Sequence, residues 1–400
     1  MINVALLGFG VVGSGCAEVL TSVKDKIAAQ IGDEIVIKYI LDLRDFSDSP
    51  FGKLIIHDFN IILNDPEVSV VAEMMGGSHP AYDFTKSLLL AGKSVVTSNK
   101  EVVSTFGAEL LNIAAEKNVR YLFEASVGGG IPIIRPLSND LSANEIVSID
   151  GILNGTTNFI LTKMRNEGLA FEDVLVEAQR LGYAEANPSA DVDGIDAARK
   201  IAILGAMASG KLADPKKIPT KGIREVTATD TELAKELGYA IKLIGHYEKT
   251  DDGRLSLSVA PRFVPLLTSP LAGVDDVYNG IMVRGNMLGD SMFYGKGAGK
   301  LPTASAICAD IIDAAKNPDA GAVPLRWEDT DDILAADEIK SRLCIITETD
   351  SDAERVVTAL GNEFYRTTSI MAAVTSKPIS DADIKNVIEA KGYIKTYPVM

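Results

Sequence analysis

Cysteine is scarce: the 400-residue chain holds three, Cys16, Cys308 and Cys344, each alone in apolar surroundings. That pattern excludes a disulfide-stapled secreted framework and a paired-cysteine zinc site, and it points to a reducing cytoplasm. Long apolar runs are also missing, since no segment reaches the roughly 18 to 20 residues needed to span a bilayer. The opening MINVALLGFG has neither a basic flank nor a small-residue cleavage site, so it reads as a first strand and not a signal peptide. Positive charge is in deficit. With 39 Lys+Arg against 55 Asp+Glu the net charge is −16, which repels polyanions and argues against nucleic acid as a partner.

What is present describes a globular chain of two or three domains: 46% hydrophobic and 24% charged residues, with 34 Gly and 16 Pro spread along it. A chain of this length buries roughly three quarters of its extended surface and needs no covalent staple. Its first third alternates between the two periodicities. Ile2 to Leu7, Ile35 to Leu41, Val70 to Met74, Ser94 to Thr97 and Val119 to Phe123 read as strands. Helical spacing of Val12, Cys16, Val19, Leu20, Val23 and Ile27, and helical stretches at Asp83 to Ala91 and Ala108 to Lys117, separate them. Gly92 and Asn118 stand where helix C-caps are wanted. The order predicts an α/β fold with a doubly wound parallel sheet.

Gly8-Phe9-Gly10-Val11-Val12-Gly13 occupies the first strand-to-helix turn, where glycines let the backbone approach a pyrophosphate held by the helix N-terminus. A tight turn with close packing is the plainer use of the same glycines, but the strand–turn–helix context favours dinucleotide binding. Cofactor choice is read at the end of the second strand, Leu41-Asp42-Leu43-Arg44-Asp45. An acidic residue there accepts from a ribose 2′-hydroxyl and an arginine pairs with a 2′-phosphate, so Arg44 leans the reading to NADP, with NAD as the alternative. Glu73 to Pro80, including Gly76 and Gly77, and Thr97 to Lys100, including Ser98, follow the third and fourth strands, where open α/β sheets bind ligands. Lys100 is a candidate cofactor or substrate contact, and His79 reads as a loop residue beside proline.

From Glu124 the chain reads EASVGGGIPII, from Gly151 GILNGTTNFILTKM, from Ala178 AQRLGYAEANPSADVDGIDAARKIAIL, and from Phe293 FYGKGAGKLPTASAICADII. Over about residues 1 to 320 the sequence resembles homoserine dehydrogenase, and, with no aspartate kinase region before Met1, its monofunctional form. The resemblance implies NAD(P)-dependent interconversion of L-homoserine and L-aspartate 4-semialdehyde, a step of threonine, methionine and isoleucine biosynthesis. Asp196 and Lys200 stand i and i+4 on a helix predicted from about Gly194 to Met207 and share a face, as a plain surface salt bridge would. By resemblance Lys200 is the acid/base at the reacting oxygen and Asp196 orients it.

The resemblance further implies that Glu185 and Asp191 take the substrate ammonium, with Tyr183, Gly155 and Thr156 shaping that site. The turn Asn154 to Asn158 also suits a helix cap. Gly182, and Gly297 in the glycine loop Gly295 to Gly299, are implied to face the cofactor. A monovalent cation is implied at Glu124, Val127, Gly129 and Ile131, mostly through main-chain oxygens, a set suiting a group I or II ion over zinc. Lys296 and Asn187 depart from the family pattern. Two rival readings remain: another Rossmann oxidoreductase of an amino acid semialdehyde, and a non-catalytic nucleotide-sensing module.

The expected organisation is a Rossmann domain over 1–135, completed by about 297–325, then an α+β substrate and dimerisation domain over 136–296, with strands Ile146 to Leu153 and Leu255 to Pro261 and a helix Asp230 to Leu243. A homodimer follows from the resemblance alone. After an acidic linker, Glu328 to Asp332, the tail 336–400 reads as strand Leu343 to Thr347, helix Asp352 to Glu363, strand Ser369 to Val374, helix Asp381 to Ala390 and strand Tyr393 to Tyr397. Related enzymes often end in an ACT domain. Room for about one strand between these helices, and no Pro-Gly turn at Thr349 to Asp352, make this a shortened ACT-like module and predict weak or absent threonine inhibition.

Overall fold

An aliphatic run makes Ile2–Leu7 the first strand, β1, and its last four residues are buried. The computed structural model describes residues 1–321, 324–347, 363–366, 371–380 and 393–400. The chain divides into two units, one of residues 1–144, 202–215 and 295–330, the other of 145–201, 216–294 and 331–400.

In the first unit β1 is followed by α1 (Val11–Ser22), α2 (Lys24–Ile31), β2 (Ile35–Leu41), β3 (Ile55–Ile56), α3 (Phe59–Asn64), β4 (Val68–Glu73), α4 (Ala81–Leu90), β5 (Ser94–Thr97), α5 (Lys100–Glu116) and β6 (Tyr121–Leu122). The strands form one parallel sheet in the order β3-β2-β1-β4-β5-β6. The chain winds outward from β1 and then returns to β4, so the carboxyl ends of these two neighbours form the topological switch point where such sheets bind ligands. The helix expected from Val12 through Ile27 is two helices meeting at Val23, and β3 was not expected. The helix expected from Ala108 begins at Lys100, because the Asn99 side chain caps it by accepting from Val102 N. Gly92 and Asn118 have positive φ at helix ends, as expected.

Past residue 144 come β7 (Ile146–Ile152), α6 (Gly155–Glu167), α7 (Phe171–Arg180), α8 (Ser189–Val192), α9 (Ile195–Ser209), β8 (Lys211–Ala213), α10 (Ala228–Glu236), β9 (Tyr239–Lys249), β10 (Leu255–Pro265), β11 (Tyr278–Gly285) and β12 (Gly289–Lys296). Then follow α11 (Lys300–Lys316), β13 (Glu328–Thr330), β14 (Arg342–Thr347), β15 (Glu363–Arg366), β16 (Met371–Val374) and β17 (Tyr393–Val399). Helix α11 returns to the first unit, where Ala304, Ile307, Cys308 and Ile311 pack with Cys16, Ala17 and Leu20 of α1 over Val4, Leu6, Val70 and Ala72. All three cysteines are buried free thiols. The second unit is built on a nine-stranded sheet, β12-β11-β7-β9-β10-β17-β14-β16-β15.

Three expectations are corrected. The helix expected over Asp230 to Leu243 ends at Glu236, since Gly238 takes φ +82° and the apolar run after it pairs with β10 as the long strand β9. The acidic linker is in part a strand: Glu328–Thr330 pairs parallel with Lys211–Ala213, anchored by the buried Trp327 before it. Between the places expected for the two tail helices there are two strands, β15 and β16, paired antiparallel. The tail strands lie in the order β17-β14-β16-β15, all antiparallel, so the described residues hold two strands where one was expected and the first ground for expecting no threonine response falls. Of the expected tail helices, Asp381 to Ala390 lies outside the described residues, as does Asp352 to Glu363 except for Glu363, which opens β15. The Thr349 to Asp352 turn is also outside them.

Candidate active site

Strand β7 ends at Ile152, and the next two residues begin the site of the second unit. Asn154 is the N-cap of α6: its Oδ1 accepts from Thr157 N at 2.9 Å. That orients the amide, because the neighbours of Nδ2 are carboxylates, which only accept. Asn154 Nδ2 donates to Asp191 Oδ1 at 2.7 Å and to Asp196 Oδ2 at 2.9 Å. Lys200 Nζ lies 2.9 Å from Asp196 Oδ2 and donates to the Leu153 carbonyl at 2.7 Å. The pair is no surface salt bridge, for Asp196 is 3% and Lys200 7% exposed. A buried ion pair is held only where hydrogen bonds compensate for lost hydration, and Asn154 and the Leu153 carbonyl supply them.

The fold thus gathers Leu153, Asn154, Asp191, Asp196 and Lys200 from a strand end, a short helix and α9. Asn154 was read from sequence only as part of a turn, and the signal for its second role, two carboxylates far along the chain, is not local. Gly155 opens α6, and Thr156 Oγ1 donates to the Tyr183 carbonyl at 2.6 Å, tying two expected substrate residues together. The Tyr183 ring sets its edge on Phe159. Glu185 is not drawn into the cluster: it is exposed, and its carbonyl accepts from Gln179 Nε2. Gly182 has φ +77° at the end of α7.

In the first unit the glycine turn closes on itself. A Cβ on Gly13 would stand 2.1 Å from the Gly8 carbonyl oxygen, so only glycine fits, whereas at Gly10 the nearest atom would be Arg44 Nη2 at 3.7 Å. Gly10 therefore leaves an open approach to the N-terminus of α1, which has no side-chain cap, and Val11 beside it is 68% exposed while Val12 is half-buried. An uncapped helix N-terminus with an open glycine fits a dinucleotide pyrophosphate.

Asp42 holds the turn from below. Its Oδ2 accepts from Phe9 N at 2.7 Å and from Arg44 Nη2 at 2.8 Å, and its Oδ1 from Arg44 Nε at 3.0 Å. Arg44 holds the Asp42 carboxyl far below the usual carboxylate range despite partial burial. The acid is thus committed to the turn, while the guanidinium of Arg44 is exposed and rests over Phe46.

At the end of β4, Glu73 is fully buried; sequence reading named it only as the start of the ligand-binding stretch. It accepts from Thr97 Oγ1 at 2.6 Å and from Met75 N at 2.8 Å, and burial pushes its carboxyl up against these hydrogen bonds. Asn99 Nδ2 donates to the Gly77 carbonyl at 2.7 Å, so the loop with Gly76 and Gly77 and the start of α5 with Ser98 and Lys100 are fixed to each other.

Glu124 is also buried, and its carboxylate is consumed by the backbone: Oε1 accepts from Ile133 N and Ile134 N at 2.6 and 2.8 Å, and Oε2 from Arg135 N at 2.9 Å. A ligand role for the Glu124 segment is left to main-chain oxygens. A Cβ on Gly129 would lie 2.3 Å from the Gly297 oxygen, which places the glycine loop directly on this turn. Among the described residues no group of three or more His, Cys, Asp or Glu side chains is set to hold a metal, and no helix is long and apolar enough to cross a membrane.

Comparison with known proteins agrees with both units. The family described as "Homoserine dehydrogenase, NAD binding domain" matches residues 8–124, and "Homoserine dehydrogenase" matches 132–312. A homoserine dehydrogenase of Lactococcus lactis is 40% identical over 328 residues, 80% of this chain and 76% of its own. The crystal structure of a homoserine dehydrogenase from Thiobacillus denitrificans superposes with a TM-score of 0.90 at 34% identity, covering 100% of this chain and 98% of that one. A hyperthermophilic archaeal homoserine dehydrogenase in complex with NADPH superposes with a TM-score of 0.68 at 31% identity, covering 81% and 99%. By sequence over four fifths of its length and by fold over all of it, the chain belongs to the homoserine dehydrogenases, oxidoreductases that use NAD(P).

Proposed function

We propose that Lys200 is the acid/base of homoserine oxidation in this chain and that Asp196 and Asn154 position it. The observation that carries the reading is the buried Lys200–Asp196 pair tied to the Leu153 carbonyl and to Asn154. The bound dinucleotide supplies the two-electron hydride chemistry. What the chain must add is a place for the hydroxyl proton as the alcohol becomes an aldehyde, and an amine delivers or accepts one at fixed geometry. Asp191, half-buried beside Asn154, suits the substrate ammonium through a charge-assisted hydrogen bond. Glu185, exposed in the loop before α8, is a second candidate whose carboxylate must swing to reach it.

NADP is the preferred cofactor in this reading. Asp42 is occupied by Phe9 N and by Arg44 Nε and Nη2, which leaves the Nη1 side of the exposed guanidinium for a 2′-phosphate. The relative that binds NADPH supports the same choice. Gly8 to Gly13, with Gly76, Gly77, Ser98, Lys100, Gly182 and Gly297, complete the proposed cofactor contacts. Neutral carbonyls of Glu124, Val127, Gly129 and Ile131 suit a monovalent cation such as sodium, the Glu124 carboxylate being committed elsewhere.

The proposed division of labour is a cofactor domain over 1–135 with 297–325, a substrate domain over 136–296 and an ACT-like module over 336–400. A homodimer rests on family resemblance alone, and a cytoplasmic setting on the three free, buried thiols. The test is absorbance of the reduced nicotinamide with L-homoserine, run with NADP and with NAD. Homoserine-dependent reduction with the lower KM for NADP is expected. No reduction with either cofactor would overturn the reading, and a lower KM for NAD would overturn the cofactor assignment.

A further inference from the structure

Asp191 stands on an element too short to hold itself. Its helix, α8, has four residues and follows a loop in which Tyr183 and Glu185 are exposed. A single helical turn is unstable alone, so the place of its carboxylate must be fixed by what packs against it. Asn154 Nδ2 reaches that carboxylate from one side. A second support comes from residues 219–225, ahead of α10.

This segment is anchored without help from α8. Val259 N of β10 donates to the Pro219 carbonyl at 2.9 Å, and Lys221 N donates to the Val259 carbonyl at 2.8 Å. Ile223 is fully buried. At the far end Lys395 of β17 donates to the Glu225 carbonyl, and its Nζ lies 2.6 Å from Asp230 Oδ2 on α10. Held at both ends, the segment forms a wall against which α8 rests. Ile223 N donates to the Val192 carbonyl at 2.8 Å. A Cβ on Gly222 would stand 2.1 Å from the Val192 carbonyl oxygen and 2.5 Å from Asp193 Cα. Gly222 is not among the glycines of positive φ, so the close approach alone requires glycine there. Arg224 straddles the short helix. Its Nη2 donates at 3.2 Å both to Ser189 Oγ, at the first residue of α8, and to Asp193 Oδ2, just past its last, while Nε donates to Asp193 Oδ1. Asp191 lies between the two residues that Arg224 ties.

We propose that Gly222 and Arg224 are positioning residues for the substrate: their contact with α8 sets the place of the Asp191 carboxylate, and through it the KM for homoserine. This rests on the reading of Asp191 as the partner of the substrate ammonium. Neither residue belongs to the Lys200 cluster, so kcat is not theirs to set. Steady-state kinetics of the full chain with NADP test the proposal. Gly222→Ala drives a methyl against the Val192 carbonyl and is expected to raise the KM for homoserine about tenfold, with kcat within about twofold and the KM for NADP unchanged. Arg224→Ala keeps the close approach and loses only hydrogen bonds open to water, so a rise of about threefold is expected. In the Asp191→Asn background each substitution should move KM by less than about twofold, because the group it positions has gone. If Gly222→Ala does not fold, as judged by circular dichroism, the Arg224→Ala cycle decides. An unmoved KM, a fall in kcat as large as the rise in KM, or effects that simply add to that of Asp191→Asn would each overturn the proposal. An unchanged KM in Asp191→Asn itself would instead remove the ammonium reading, and the brace would lose its target with it.

Discussion

The glycine turn of the first unit and the Lys200 cluster of the second are built from different parts of the chain. In the turn the backbone is the working group: six consecutive residues bend, leave N–H groups at the start of α1, and need one distant side chain, Asp42, to hold them. In the cluster side chains are the working groups, and they come from places 37 to 47 residues apart, as in Asn154 to Asp191 and Leu153 to Lys200. A site of backbone tolerates change wherever space is open and fails where it is closed. A site of side chains fails according to which charge or hydrogen bond is lost.

That difference can be tested by substitution. The largest effect is expected at Lys200→Ala, with turnover down by about 10² to 10⁴ and dinucleotide affinity unchanged by fluorescence titration. Near wild-type turnover would remove the lysine from the chemistry. Next comes Gly13→Ala, in which the added methyl meets the Gly8 carbonyl oxygen at 2.1 Å and should cost about 3 kcal/mol of unfolding free energy or more. Gly10→Ala should by contrast leave the melting temperature in place and weaken only the dinucleotide. Equal destabilisation of the two would show that the turn is not divided into a closed and an open glycine.

Arg44→Ala sharpens the comparison within the turn. Losing a charge-assisted pair should weaken NADP by about 1.5 to 3 kcal/mol and leave NAD little changed, read as the ratio of the two KM values. The same loss for both would mean that Arg44 acts through Asp42 on the turn itself. Asn154→Asp is expected to have the smallest effect, about 1 to 2 kcal/mol on kcat/KM, with a signature of its own. A third carboxylate beside Asp191 and Asp196 favours the protonated lysine, so the ascending acid limb that Lys200, as the base, gives the pH–rate profile of homoserine oxidation should move to higher pH. An unmoved profile would confine Asn154 to capping α6.

Legibility followed the same division. The turn, the strand order's beginning and the pairing of Asp196 with Lys200 on one helix face are short-range patterns, and reading periods of two and 3.6 residues found them. The role of Asn154 was hidden because an N-cap asparagine looks the same whether or not its Nδ2 has carboxylates to serve. Glu73 was named only as the start of the stretch after the third strand, with no role of its own, because its partners Thr97 and Asn99 lie on the next strand and at the start of the next helix. The tail was misread for a related reason: β15 and β16 are four residues each, too short for periodicity to separate, and they are strands because each pairs with the other.

By itself the sequence determined the alternating α/β order and the nucleotide turn, because each is written in contiguous residues whose local conformations suffice, while the chemical class of the reaction was implied only by the resemblance of long motifs to homoserine dehydrogenase. Only the tertiary structure decided that Asp42 braces the turn, that the Glu124 carboxylate is spent on backbone N–H groups, and that the Lys200–Asp196 pair is buried. Each of these depends on which distant partner occupies a side chain's few hydrogen bonds, and that is settled by how strands are ordered in a sheet and not by any spacing along the chain.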